Sequence, residues 1–89
     1  MTIRKKVKKR NPAADRIVSK LMEELEMIRK AKDMSHTKLS DLTGLHRTTI
    51  GLLEKKKRVP TILTLLKITM ALGVDLPNLI KTAIKNSNK

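Results

Sequence analysis

The chain has 89 residues, and its 21 Lys and Arg residues against 8 Asp and Glu residues give a formal net charge of +13. This length supports a single domain, and the charge calls for an anionic partner, with nucleic acid as the first candidate and an acidic membrane surface as the second. Phe, Tyr and Trp are absent, which argues against single-stranded nucleic-acid binding by aromatic stacking and removes the usual membrane anchors. Duplex DNA is therefore the favoured polyanion.

Two further absences narrow the class of protein. Cysteine is missing, so neither disulfides nor thiolate metal sites can form. No apolar run reaches the length of a membrane span, and no apolar segment of the signal-peptide kind follows Arg10. We expect a cytoplasmic protein that is nucleoid-associated when bound to DNA, with no cofactor, no metal and no membrane partner.

Residues 1–12 form a basic N-terminal arm with too few apolar side chains to join a core. We predict that this arm is flexible, that residues 13–85 form the domain and that residues 86–89 form a C-terminal tail. The arm either wraps the duplex or acts as a nonspecific, solubilising segment. Its basic residues are Arg4, Lys5, Lys6, Lys8, Lys9 and Arg10.

Apolar residues at helical spacing predict five helices and no strand. The first helix begins at Pro12 and stops near residues 32–33. Ser35 is placed to cap the second helix, in which Leu39 and Leu42 are expected to face the core, and Gly44 ends it in a left-handed conformation.

The third helix opens at His46 or Arg47 and turns Ile50 and Leu53 inward. Thr61 is placed to cap the fourth helix, which ends at Gly73. The fifth is capped by Asp75 and tolerates Pro77 in its first turn. The fold class is all-α, a compact bundle of five helices.

Residues 35–60, SHTKLSDLTGLHRTTIGLLEKKKRVP, carry the functional signal. Two short helices joined by a turn of about four residues containing Gly44 are typical of a helix-turn-helix. The second helix of such a unit presents its outward side chains to the major groove of duplex DNA.

This segment resembles the Cro/phage-repressor (XRE) helix-turn-helix family, and the resemblance extends over residues 21–84 without a gap. It implies a lambda-repressor-like helix-turn-helix in a DNA-binding transcription regulator. The matching positions are Ile28, Arg29, Ala31, Ser35, Leu39, Gly44, Leu45, Ile50, Glu54, Pro60, Leu65, Ile68, Leu72, Gly73 and Val74.

Four positions depart from the family pattern. His36 replaces the usual Gln at the start of the second helix, and His46 replaces the Ser or Thr that caps the recognition helix. Lys56 stands where Gly usually follows that helix, so either the helix runs further or the turn is strained. Leu52 occupies an outward position that is often polar. These departures affect the base contacts rather than the fold.

Arg47 and Thr48 are the best candidates for reading bases, because Arg offers a bidentate fork to guanine and Thr offers a hydroxyl and a methyl group. The alternative is that Arg47 grips only phosphate. Leu52 either packs on a thymine methyl or is a partly buried scaffold residue. Gly51 either lets the helix approach DNA closely or is simply a poor helix former.

Phosphate contacts are expected from the start of the second helix, from both ends of the third and from the loop that follows it. The resemblance implies that His36 bonds phosphate and braces the recognition helix, whereas the alternative is a solvated histidine. The basic loop after the third helix either binds phosphate or is merely solvated. The candidates are His36, Thr37, His46, Thr49, Lys55, Lys56, Lys57 and Arg58.

The resemblance also implies an ion pair between Arg29 and Glu54 that ties the first helix to the recognition helix.

A homodimer is expected, because a core of this size uses only part of the apolar face of the fifth helix. That predicted interface comprises Leu76, Leu79, Ile80, Ala83 and Ile84. On the fourth helix, Leu63, Leu66 and Met70 are a competing interface, or they receive the first helix, or they pack in the core against residues 13–22.

The predicted function is sequence-specific binding of double-stranded DNA by a small dimeric repressor or controller on a palindromic operator. A phage repressor, a restriction-modification controller and a plasmid or transposon regulator all fit. The alternative is an antitoxin that binds its own promoter and a toxin; RNA polymerase is a further candidate partner. The sequence contains no nucleophile–base pair and no phosphate-binding glycine loop, so we do not expect an enzyme.

Overall fold

A computed structural model describes residues 11–88, and within this range the chain forms five α-helices and no strand. The helices are α1 (Pro12–Ala31), α2 (His36–Thr43), α3 (Arg47–Glu54), α4 (Ile62–Leu72) and α5 (Leu76–Ser87). The predicted all-α bundle and the order of its helices are confirmed.

Short-range hydrogen bonds set where the helices begin. The side chains of Asn11, Ser35 and Thr61 each accept a bond from a backbone amide in the first turn of α1, α2 and α4, which satisfies donors that a helix start leaves open. Asp75 occupies the predicted cap of α5, but its side chain makes no capping hydrogen bond.

Left-handed glycines end two of the helices. Gly44 has a φ of 79° after α2 and Gly73 a φ of 71° after α4, a conformation that glycine adopts without a steric penalty. Both predicted helix ends are therefore confirmed.

All five helices contribute to one apolar core. The deepest side chains come from α1, from the inward faces of α2 and α3, from α4 and from α5. The buried apolar residues are Leu21, Met22, Leu25, Leu39, Ile50, Leu53, Leu65, Ile68, Leu72, Leu76 and Ala83. The prediction for Leu42 is wrong, because half of its surface is exposed; it borders a shallow depression between α2 and α4 instead of entering the core.

The last helix is longer than its apolar pattern predicts. α5 packs mainly along α1 and continues through Asn86 and Ser87, two residues beyond the predicted end of the domain at residue 85. Asn86 Nδ2 donates a hydrogen bond of 3.2 Å to Glu24 Oε2 on α1. This contact joins the C-terminal end of α5 to the body of the protein.

Among residues 11–88, no single helix is long and apolar enough to cross a membrane. Only α4 and α5 together reach the required length and composition, and they bend by 107° at the break between them. Buried residues such as Leu65, Leu72 and Leu76 account for this apolar character, because they belong to the core.

Candidate nucleic-acid interface

The turn between α2 and α3 is held by a compact set of hydrogen bonds. Thr43 Oγ1 donates to the carbonyl of Leu39 at 2.7 Å and accepts from the amide of Leu45 at 3.1 Å. Ser40 Oγ donates to the carbonyl of Leu45 at 2.6 Å. Together with the left-handed Gly44, these bonds orient α3 relative to α2, which is the arrangement of a helix-turn-helix.

Two buried residues and one cap position α3. Ile50 and Leu53 are each 1% exposed and attach the helix to the core. His46 Nδ1 accepts a hydrogen bond of 3.2 Å from the amide of Thr48, so His46 caps the helix in place of the usual hydroxyl residue. The opposite face of α3 is left free for a ligand.

That outward face borders one open depression on the surface. Arg47, Thr48 and Lys55 are exposed, while Gly51 and Leu52 are half-buried. The structure thus brings together all four predicted base-reading residues, and their contacts with bases stay a prediction. The depression is lined by His36, Arg47, Thr48, Gly51, Leu52 and Lys55.

The two helices of the unit also touch at this surface. Arg47 Nη1 lies 3.5 Å from Thr37 Oγ1. A β-carbon at Gly51 would lie 3.9 Å from Cε1 of His36, which is ordinary contact. Contact with His36 therefore does not require glycine at position 51.

A charged network braces α3 against α1. Arg29 Nε donates to Glu54 Oε2 at 2.7 Å and Arg29 Nη2 to Glu54 Oε1 at 2.9 Å, so the ion pair is bidentate. Arg29 Nη1 also donates to the carbonyl of Met34 at 2.7 Å. The ion pair implied by the family resemblance is present, and both of its side chains are only 9% exposed.

His36 joins this network from α2. Its Nε2 lies 2.8 Å from Glu54 Oε1, so His36 braces the recognition helix as the resemblance implies. Burial raises the pKa of Glu54, but the hydrogen bonds from Arg29 and His36 outweigh it and hold that pKa below its usual value. Glu54 is therefore ionised at neutral pH, and it connects α1, α2 and α3 through a single carboxylate.

The loop after α3 is basic, exposed and partly strained. Lys55, Lys56, Lys57 and Arg58 are all exposed, which fits phosphate contact without testing it. α3 ends at Glu54, and Lys56 has a φ of 62°. Of the two expectations for Lys56, the strained turn is the correct one.

Lys56 has a partner that sequence reasoning missed. Its ammonium binds the carboxylate of Glu23 on α1, 33 residues away. This hydrogen bond lowers the pKa of Glu23, and the smaller cost of burial opposes it. A phosphate contact by Lys56 requires this ion pair to open or to be shared. Nothing in the local sequence indicates such a long-range pair.

The remaining predicted phosphate ligands are less uniform. Thr37 and His46 are exposed and Thr49 is half-buried. The residues of the N-terminal arm, Arg4 to Arg10, lie outside the described part of the chain. Within residues 11–88, no group of three His, Cys, Asp or Glu side chains is placed to hold a metal ion.

The predicted dimer interface on α5 needs correction. Leu76 and Ala83 are buried in the chain's own core, and Leu79 and Ile80 pack partly against it. Leu76 and Ala83 therefore cannot contact a partner. Ile84, at 42% exposed, is the member of the set that remains most accessible.

α4 carries the larger exposed apolar surface. Leu63, Leu66 and Met70, hereafter the α4 stripe, are 59%, 42% and 78% exposed. They neither receive α1 nor pack in the core, so those two interpretations are wrong. Leu42 of α2 lines one shallow depression together with Met70.

Comparison with known proteins agrees with this geometry. Residues 25–79 match the helix-turn-helix family. The chain is also similar to the protein named Control protein C.SmaI of Serratia marcescens, with 36% identity over 67 residues that cover 74% of this chain and 80% of that protein. No solved structure matches the chain. The chain therefore belongs to the XRE-type helix-turn-helix family of DNA-binding transcription regulators.

Proposed function

We propose that this protein is a homodimeric controller that binds one palindromic operator in double-stranded DNA. The observation that carries the proposal is the outward face of α3, where Arg47 and Thr48 are exposed and Lys55 follows directly after the helix. Ile50 and Leu53 attach the opposite side of α3 to the core. Among the settings that fit the sequence, the relative named a control protein favours a controller.

Sequence is read in this proposal by the first two turns of α3. Arg47 donates two hydrogen bonds to a guanine, and Thr48 contacts the neighbouring base through its hydroxyl or methyl group. The half-buried Leu52 borders the same depression, where a thymine methyl group is the apolar group that duplex DNA offers. Because Gly51 has no side chain, DNA can approach the middle of this face closely.

Phosphate contacts fix the register of the protein on the duplex. His36 and Thr37 lie at the start of α2, and Lys55, Lys57 and Arg58 lie at the end of α3. The two groups of residues flank the base-reading face. The N-terminal arm adds six basic residues, which strengthen binding to any sequence.

The second subunit docks on the α4 stripe in this proposal. All three side chains of the stripe are exposed, whereas most of the α5 face is used by the core. Exposed apolar clusters of this kind mark protein contacts. A twofold pair then sets two recognition helices one turn of duplex apart, roughly 34 Å.

The decisive experiment is selection of bound sites from a random duplex pool, followed by affinity measurements on the recovered sequence at several salt concentrations. We expect an inverted repeat and a log–log salt slope of several units, at about −0.9 for each neutralised phosphate. Recovery of no preferred sequence, or a nearly flat salt slope, contradicts the proposal.

The α4 stripe also supports a second candidate, an antitoxin whose exposed apolar surface covers a toxin. The two candidates differ in the free protein. A controller should sediment as a homodimer without any other protein. An antitoxin should leave the α4 stripe exposed until its toxin is added.

A further inference from the structure

Two neighbouring lysines at the end of α3 lie in different surroundings. Lys55 borders the open depression in front of the recognition helix. Lys56 borders a different depression, between α1 and the end of α3, which Met22 and Leu53 also line. Its ammonium binds the carboxylate of Glu23 on α1. The Lys56 side chain therefore extends toward α1 and not along the face that is proposed to meet DNA.

The backbone fixes the point from which the Lys56 side chain starts. The amide of Lys56 donates to the carbonyl of Leu53 at 3.0 Å, and the amide of Lys57 donates to the carbonyl of Leu52 at 2.9 Å. Lys56 has a φ of 62°, a conformation that is disfavoured for a residue with a side chain and that persists only where surrounding contacts hold it. Beyond this fixed start, the flexible four-carbon stem of lysine allows the ammonium to reach other partners.

The ion pair between Lys56 and Glu23 is exposed and therefore weak. The two side chains are 41% and 42% exposed, and an exposed ion pair favours its closed form by at most about fivefold. Glu23 Oε1 also lies 3.6 Å from Lys20 Nζ on the same helix. The Glu23 carboxylate keeps this positive neighbour when Lys56 leaves, so opening the pair does not strand a charge.

DNA phosphate is a second acceptor for the same ammonium. Lys55, Lys57 and Arg58 are exposed beside Lys56, so a duplex bound at the proposed interface passes close to the Lys56 backbone. Phosphate attracts lysine as a point charge, but Lys56 has to leave Glu23 in order to bind it. The contact with DNA therefore exchanges one ion pair for another, and its contribution to affinity is reduced by the cost of opening the first.

We infer that Glu23 is an internal competitor of DNA phosphate for Lys56, and that it lowers the affinity of this protein for duplex DNA. A phosphate contact carries no sequence information, so this restraint weakens the binding of selected and random duplexes alike. The inference rests on the proposed function. It assigns an effect on DNA binding to a residue of α1, outside the helix-turn-helix.

The test is a double-mutant cycle on affinity for two duplexes, the one recovered most often from the random pool and a random one, at salt concentrations of about 50 and 200 mM. Glu23→Gln should raise affinity for both duplexes by about two- to fivefold per subunit at the lower salt concentration, because Lys56 no longer has to leave a carboxylate. The gain should shrink at the higher concentration, because salt screens the ion pair in the unchanged protein.

Lys56→Gly completes the cycle, because glycine keeps the left-handed turn and removes the ammonium. In this background Glu23→Gln should give no gain beyond that of the control, Asp75→Asn. Asp75 is exposed at the start of α5 and makes no side-chain capping bond, so this control measures how the loss of one negative charge changes the general attraction to DNA. Circular dichroism checks that each variant is folded.

The outcomes separate the inference from the proposed function. An equal gain from Glu23→Gln with and without the Lys56 ammonium, or no gain at all, overturns the inference alone. A loss of affinity in Glu23→Gln also overturns it and assigns the ion pair to the support of α3. If neither the unchanged protein nor any variant binds a duplex, the inference fails together with the proposed function.

Discussion

At the residue scale, Arg47 is the side chain whose loss most directly tests base reading. It is exposed at the first position of α3, and its Nη1 lies 3.5 Å from Thr37 Oγ1. Arg47→Ala should lower affinity for the selected duplex by about 1–3 kcal/mol and relax preference at one base pair per half-site. Lys57→Ala is the control and should weaken all duplexes alike. An equal loss on selected and random duplexes assigns Arg47 to phosphate instead.

Glu54 is the residue on which acid stability depends. Its pKa is lowered in the folded protein, so its stabilising contribution is present above the unfolded pKa of about 4.3 and disappears as the pH falls through the lower folded value. Glu54→Gln should reduce the free energy of unfolding by about 3 kcal/mol at pH 7, because it leaves Arg29 buried without a counter-charge.

Chemical denaturation at pH 7, 4 and 3 checks this prediction. The difference between the unchanged protein and Glu54→Gln should shrink as the pH falls. Glu26→Gln is the control, since Glu26 pairs with Lys30 on the helix surface, and it should cost less than about 1 kcal/mol. A difference that stays constant down to pH 3 contradicts the assignment to Glu54.

At the scale of elements, the end of α3 combines a strained residue with a surface ion pair. Lys56 has a φ of 62°, where glycine is favoured by about 1 kcal/mol. Lys56→Gly should therefore be more stable than Lys56→Ala by about 1 kcal/mol, because both variants lose the pair with Glu23 and only Gly relieves the backbone. Thermal or denaturant unfolding of the two variants measures the difference.

Glu23→Gln removes the carboxylate of this ion pair and leaves Lys56 unchanged. Both partners of the Lys56–Glu23 pair are about two-fifths exposed, so the pair itself should contribute less than about 1 kcal/mol. Equal stabilities for Lys56→Gly and Lys56→Ala mean that the left-handed turn carries no strain.

At the scale of the whole molecule, self-association works against a charge of +13 on each chain. Raised salt should strengthen the dimer by screening this repulsion while it weakens DNA binding. The double variant Leu63→Glu/Met70→Glu should sediment as a folded monomer and lose most operator affinity, because both side chains are exposed and leave the core intact. Circular dichroism confirms folding.

Ile84→Glu is the matched control on α5, with an exposure similar to that of Leu66. It should leave the dimer unchanged. If Ile84→Glu is monomeric and the α4 double variant stays dimeric, the interface lies on α5 and not on the α4 stripe. If the unchanged protein is a monomer both free and on DNA, the dimer is removed from the proposal.

Local chemistry explains which parts of this protein the sequence by itself determined. Ser35, Thr61, Gly44 and Gly73 mark helix ends because a cap bonds an amide two or three residues away and a left-handed turn requires only its own backbone. The spacing of these signals predicted the helix-turn-helix, and with it the placement of Arg47 and the residues around it on one outward face.

Tertiary structure alone decided which apolar faces are covered and which distant charges meet. Leu42 and Met70 follow the helical apolar pattern yet remain exposed, whereas Leu76 and Ala83 enter the core, because burial depends on how α1 and α5 pack. The pairs Lys56–Glu23 and Asn86–Glu24 join residues more than 30 positions apart. A single sequence records the residues in such pairs but not the chain path that brings them into contact.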